Sequence, residues 1–282
     1  MKIILSRKGL DSSFGNVPSP LFPDGTLWSL PIPAAASGLC RYADVRCGEH
    51  ALGDLGRDLS GGRIVADQHV HFDPDLHHES LPRMPGWRPL FGQCGAAETH
   101  LQRQGVGPGD LFLFFGWFRL AERSGGMYRY IAGAPDLHVL FGWLQIAARL
   151  PLNDAAAVPL WARYHPHCQH AQFAVPNSLY IAAEHLDLPG VSDVLPGAGR
   201  WPHFRLQLRL TAPDAQRSVW QLPAWFHPRG RRSALSYHGS LDRWHLRDDH
   251  VLLRTVGRGQ EFVLDCAAYP EALAWAAELF EW

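Results

Sequence analysis

The chain has 282 residues, a formal net charge of −1 from 26 Lys+Arg against 27 Asp+Glu, and 46% hydrophobic residues. That composition excludes a disordered chain, and the balanced charge excludes a polybasic protein whose affinity for nucleic acid would come from bulk electrostatics. Five cysteines without a CxxC fit a reducing compartment better than a disulfide scaffold. The opening MKIILSRKG turns polar too soon for a signal peptide. The longest apolar run, 111–118, is far short of the roughly 20 residues of a membrane helix. The expectation is a cytoplasmic protein with no membrane contact, forming one domain over residues 1–282.

In chain order, Lys2–Leu5 reads as a buried opening strand and residues 6–16, SRKGLDSSFGN, as a polar loop. Residues 18–33 are broken by prolines around a PDGT turn, and residues 64–72 read as a strand running into HVHFDPDLHHE. Residues 95–104 form the best early helix, stopped by Gly105. Pro108-Gly109-Asp110 then turns the chain into LFLFFGWF, a continuous apolar run suited to a buried strand. Further strands are expected at 138–149, 177–183, 204–210, 219–225, 250–256 and 261–265, with a terminal helix over 269–282. The fold class is α+β with more strand than helix.

Of the 26 basic residues 24 are Arg and two are Lys, Lys2 and Lys8; Asn occurs only at 16, 153 and 177. This usage is chiefly that of a GC-rich genome, yet it makes an internal Lys conspicuous, because Arg and Lys differ in geometry and hydration. Lys8 lies in a strand-to-loop segment that also offers Asp11, Ser12 and Ser13, an arrangement suited to phosphate although it lacks the P-loop order. His69, His71, Asp73 and Asp75 share one face if their segment is a strand. They suit a divalent ion such as Zn, with His165 and His167 of the HPH segment as further ligands. Without a metal, His71 and Asp73 are the tightest acid–base pair. Gln260-Glu261 ahead of an apolar run offers groups able to read a base edge, and Ser236-Tyr237-His238 lies upstream. No GxSxG, no GxGxxG between strand and helix, and no HxE…PCxxC occurs.

The segment VGPGDLFLFFGWF followed by HVLFGWLQIAAR resembles the core of the PUA-like domains, including the ASCH and EVE groups. That resemblance implies a barrel-type core over about residues 90–185, with Phe115, Trp117 and Trp143 as stacking faces for a base. In order along the chain, SRKGLDSSFG, PSPLFPDGTLWSLPIP, HFDPDL, WRPLFGQCGAAETHLQRQGVGPGDLFLFFGWFR, HVLFGWLQI, HPH, NSLY, LSYH and GQEFVLD resemble the bacterial nucleotide modification associated domain, type three. This second resemblance implies work beside systems that hypermodify or process DNA bases, often of phage. It carries over the motif positions Lys8, Asp11, Ser12, His71, Asp73, Asp75, Gln93, Trp117, Arg119, Trp143, His238, Gln260 and Glu261, without assigning their roles.

The leading expectation is a protein that binds a nucleotide, a nucleobase or nucleic acid bearing a target base, and takes part in its modification. Lys8, Ser12, Ser13, Gln93, Trp117, Arg119, Trp143, His238 and Gln260 are the binding candidates, and Asp11, His71, Asp73, Asp75 and Glu261 the catalytic ones. Two rivals stand beside it. One is a noncatalytic reader of modified bases, which needs only the aromatic pocket. The other is a metal-dependent hydrolase or nuclease built on His69, His71, Asp73, His165 and His167.

Overall fold

A computed structural model describes residues 1–10, 15–34, 39–48, 50–169, 176–230, 234–257 and 259–281. Its strands are β1 (Lys2–Arg7), β2 (Ser19–Leu21), β3 (Arg46–Cys47), β4 (His50–Ala51), β5 (Leu90–Cys94), β6 (Leu111–Ser124), β7 (Met127–Tyr130), β8 (Leu137–Pro151), β9 (Asn177–Ala182), β10 (Ala198–Arg200), β11 (Val219–Pro223), β12 (Trp244–Leu246), β13 (His250–Arg254) and β14 (Glu261–Asp265). The helices are α1 (Leu52–Leu59), α2 (Gly95–Arg103), α3 (Pro166–Gln169) and α4 (Glu271–Glu278). None of the described helices is long and apolar enough to cross a membrane.

The main sheet is mixed, with a six-strand path in the order β14-β1-β6-β8-β9-β5 and β2, β7 and β10 attached beside it. The apolar runs read from the sequence are its central strands. Phe112, Phe114 and Phe115 on β6 and Leu140 and Leu144 on β8 have no exposed surface, as expected of strands covered on both faces. Strand β1 pairs parallel with β6 and antiparallel with β14, so Arg7 and Lys8 leave the sheet next to Gln260 and Glu261.

The expected barrel-type core is corrected: the sheet is not closed. Its terminal strands β5 and β14 are linked by a side-chain hydrogen bond, Gln93 Nε2 to Glu261 Oε1 at 2.6 Å, instead of a backbone ladder. Helix α2 follows β5 directly and packs against β14 and β9. It is anchored by buried Glu98, which accepts from Arg149 Nε (2.9 Å), Ser178 Oγ (2.8 Å) and Tyr180 OH (2.7 Å).

Three other expectations change. Residues 64–72 form no strand, with only isolated bridges at His69 and Val70. Residues 204–210 are interrupted by a 3-10 turn at Leu206–Leu208, which resets the alternation and leaves Leu206 exposed. Helix α1 adds an element for which the sequence reading has no counterpart; Gly53 and Gly56 in LGDLGRDL weaken a helical pattern. Both glycines instead lie on its buried face, where a Cβ on Gly56 would come within 2.8 Å of Ile64 Cγ2 and one on Gly53 within 3.0 Å of Ala66 Cβ.

Two histidines are spent on this architecture. His138 accepts a hydrogen bond from Trp220 Nε1 through Nδ1 (2.9 Å), and burial, with Arg217 and Arg7 nearby, holds it well below its ordinary 6.5. His238 packs edge-on to Phe262 at 4.6 Å, and its Nε2 accepts from the Val256 amide at 3.2 Å. Burial depresses it to about 4, against the pull of the Ser236 carbonyl. The unfolded chain therefore binds protons at these rings from about pH 6.5 downward while the folded protein does not, so stability falls as pH drops from 6.5 toward 4. Thermal melts from pH 7 to pH 4 should show a declining Tm, with His238 alone contributing on the order of 2–3 kcal/mol. A flat profile would contradict the buried neutral state of both rings.

Candidate functional site

The ends of β1, β5 and β14 meet the 71–73 segment and α3 around a cavity of about 480 Å³, lined by Lys8, His71, Asp73, Gln93, His167 and Gln260 among others. Positions as far apart in sequence as Arg7 and Gln260 thus share one space.

Asp73 is the centre of one wall, with its side chain only 4% exposed. Its Oδ1 accepts from the Gly92 amide (2.9 Å) and from His165 Nε2 (3.1 Å). Its Oδ2 faces His167 Nε2 at 3.8 Å and His71 Nε2 at 3.9 Å. Burial alone would raise this carboxyl, but the His165 hydrogen bond and the neighbouring imidazoles outweigh it and hold Asp73 well below the usual carboxylate range.

His167 is fixed by Asn177. The Asn177 Nδ2 group donates to the His167 carbonyl (3.0 Å), which turns its Oδ1 to accept from His167 Nδ1 at 2.8 Å. The proton is thereby placed on Nδ1, leaving the Nε2 lone pair directed toward Asp73. Burial pushes His167 down to about 3, against the attraction of Asp73. Behind it His165 is fully buried, with Nδ1 receiving the His167 amide at 3.4 Å. His71, whose side chain is 23% exposed, completes the cluster with its ring 5.2 Å from that of His167.

The packing of this cluster depends on Gly92. A Cβ there would lie 2.3 Å from His167 Cδ2, 2.5 Å from His167 Cγ and 2.9 Å from His165 Cε1. The glycine in LFGQC is the gap into which both rings fit.

The opposite wall is built on Glu261. Its side chain has no exposed surface, and its Oε1 accepts from Lys8 Nζ (2.8 Å) and Gln93 Nε2 (2.6 Å). Lys8 Nζ also lies 4.3 Å from the centre of the Phe91 ring. Glu261 Oε2 is buried without a hydrogen-bond partner. The Gln93 side-chain Oε1 accepts from the Cys94 backbone amide (3.0 Å), which fixes the orientation of the Gln93 side chain. Gln260 is exposed at the edge, 3.5 Å from Gln93.

The structure brings together Lys8, His71, Asp73, Gln93, His167, Gln260 and, behind the wall, Glu261. It separates others. Asp75 turns away, because the segment is not a strand that would keep 73 and 75 on one face; its carboxylate is buried in a bidentate pair with Arg83 (2.6 Å to each oxygen) and beside Tyr164 OH. His69 does not belong to the cluster of donors. Trp143, 3% exposed, packs on Trp201 and Phe280 and donates to the Pro196 carbonyl, and Phe115 packs on Trp220. Trp117 lies under the Arg217 guanidinium at 4.0 Å, and Arg119 pairs with Asp136 at 2.7 Å. None of these, nor His238, lines the cavity, so the expected residues do not form an aromatic stacking wall there, and no Phe, Tyr or Trp lines it among the described residues. Asp11, Ser12 and Ser13 lie outside the described residues.

Gly92 and Asn177 were not among the residues expected at the site. Asn177 could have been noticed as Lys8 was, being one of three asparagines in a chain poor in them.

A family model described as Nucleotide modification associated domain 3 matches residues 2–265. No curated protein and no solved structure matches the chain.

Proposed function

Because the chain belongs to the nucleotide modification associated domain 3 family, we propose that its cavity holds a nucleotide base and that His71, Asp73 and His167 act on it chemically. The observation that carries this reading is the convergence of those three groups with Lys8, Gln93 and Gln260 on a single space of about 480 Å³. That volume is within the range of small-molecule sites. The exposed amide of Gln260, beside Gln93, offers the paired donor and acceptor that a base edge requires. Lys8 and Arg7 supply positive charge on the same lining, suited to a phosphate.

A noncatalytic reader would need a stacking platform. Trp117 and Trp143 lie outside the cavity, and two imidazoles beside a buried carboxylate have no purpose in stacking. Modification is therefore favoured over reading alone. The cytoplasm remains the compartment that suits a protein with five free cysteines acting on nucleotides.

Calorimetric titration with mononucleotides and short single-stranded DNA tests the reading. Calorimetry is preferred to fluorescence because the tryptophans considered above are not at the cavity. Gln260→Leu, an exposed change that leaves the fold intact, is expected to weaken binding about tenfold by removing one base-edge partner. An absence of binding across nucleotides and DNA, or equal affinity in wild type and Gln260→Leu, would refute it.

A further inference from the structure

We infer that His71 Nε2, Asp73 Oδ2 and His167 Nε2 bind one divalent first-row transition-metal ion, with coordination positions left open toward the cavity. These donors lie within 4.8 Å of one another, with Asp73 Oδ2 at 3.8 Å from His167 Nε2 and 3.9 Å from His71 Nε2. An ion held at about 2.1 Å in tetrahedral geometry places its ligands roughly 3.4 Å apart. Closing the cluster onto an ion thus requires each Asp73–imidazole pair to approach by about half an ångström and the two imidazole nitrogens by up to about 1.4 Å, which rotation of the rings supplies.

Three features separate this cluster from a chance grouping of polar residues. The first is the state of the donors. Asn177 holds the His167 proton on Nδ1 and directs the Nε2 lone pair inward, as a supporting partner does for a metal-bound imidazole. The second is the carboxylate. Its Oδ1 is fixed by His165 Nε2 and the Gly92 amide, and among the described residues its Oδ2 faces His71 and His167. His165 is accordingly a positioning residue, not a ligand. The third is charge. Among the described residues no Lys or Arg comes within ion-pair distance of Asp73, whose side-chain partners there are His71, His165 and His167. A buried carboxylate without a cation is costly, and a metal ion provides the missing charge.

Two nitrogens and one oxygen select a borderline ion such as Zn²⁺, Fe²⁺, Mn²⁺ or Co²⁺ over Mg²⁺ or Ca²⁺, which prefer oxygen ligands throughout. Three protein ligands also make a catalytic type of site, since structural zinc sites use four. His71, Asp73 and His167 all line the cavity, so the open positions face the space where the proposed base would sit. The metal reading does not rest on the nucleotide reading, because the cluster is complete without substrate.

The test uses the full chain prepared without a polyhistidine tag and freed of metal by a chelator. Titration with Co²⁺ alone, in the absence of nucleotide, should give one equivalent bound, visible-region d–d absorption and a raised Tm. His71→Gln, at the half-exposed ligand, and Asp73→Asn should each weaken Co²⁺ binding at least about 100-fold. Asn177→Ala should weaken it about 10–100-fold through loss of His167 orientation. His69→Gln should leave it unchanged. Circular dichroism of each variant identifies any that fails to fold, and His71→Gln is the decisive one because its side chain is the least buried of the ligands. No stoichiometric Co²⁺ on folded wild type, or binding that His71→Gln does not weaken, would overturn the inference. Metal binding without nucleotide binding would leave this inference standing and remove the nucleotide reading instead.

Discussion

Lys8→Met is expected to lower the free energy of unfolding by about 3–5 kcal/mol, the range for removing one partner of a buried ion pair. Glu261 has no exposed side-chain surface, and Lys8 is its only cationic partner among the described residues. Without the ammonium, Glu261 Oε1 would retain only the Gln93 amide, while Oε2 already lacks a hydrogen-bond partner. The carboxylate would be left buried and nearly uncompensated. The double variant Lys8→Met/Glu261→Leu should recover most of the loss, because an apolar pair of similar volume avoids the desolvation cost altogether. Urea unfolding midpoints of the wild type, the single and the double variant check both statements; a single-variant loss below about 1 kcal/mol would show that water reaches Glu261. Lys8→Arg tests the ammonium itself. A planar guanidinium has to fit between Glu261 and the Phe91 ring, where Lys8 places a compact charge 2.8 Å from one and 4.3 Å from the centre of the other. Full ligand binding by Lys8→Arg would show that charge alone is needed.

Gly92→Ala is expected to abolish the organisation of the histidine–carboxylate wall with a smaller cost to the fold. The added Cβ would fall 2.3 Å from His167 Cδ2 and 2.9 Å from His165 Cε1, distances at which one partner must move. Neither ring has room to yield: His165 is fully buried and tied to Asp73, and His167 is tied to Asn177. Overpacking of this kind costs about 1–3 kcal/mol, but the effect on the site is larger because Oδ2 of Asp73 and Nε2 of His167 lose their common focus. Co²⁺ affinity should drop at least about 100-fold while the circular dichroism spectrum stays that of the wild type. Retention of wild-type affinity would mean that the cluster reorganises around the methyl group.

The residues that carry these predictions were unequally visible before folding. His71 and Asp73 stand out because an alternating His-x-His-x-Asp run is uncommon, and HPH supplies His165 and His167. That these two segments meet is a property of the fold, since Asp73 and His165 are 92 positions apart. Asp75 has the same parity as Asp73 and the same chemistry. The irregular backbone of the segment and the contacts of Asp75 with Arg83 and Tyr164 remove it from the site. The aromatic residues show the converse. Trp117, Trp143 and Phe115 have the composition of a base-stacking platform, but composition does not distinguish a platform from a core, and Trp143 and Phe115 are core. Gly92 could not be singled out among 27 glycines, because its requirement arises from side chains of a distant segment.

By itself, the amino-acid order determined the strands that are buried on both faces. Runs such as LFLFFGWF and LHVLFGWLQI have no amphipathic alternative, and the helix after β5 is bounded by glycines at both ends. It also singled out Lys8 as an exception to the use of Arg throughout the chain. What Lys8 is for was decided by tertiary structure. Parallel pairing of β1 with β6 and antiparallel pairing with β14 place its ammonium against a carboxylate 253 positions away, and the Gln93 bridge from β5 completes the wall. Local apolar patterning specifies which segments are strands because burial acts residue by residue. The meeting of charges depends on sheet order and register, which arise only when the whole chain packs.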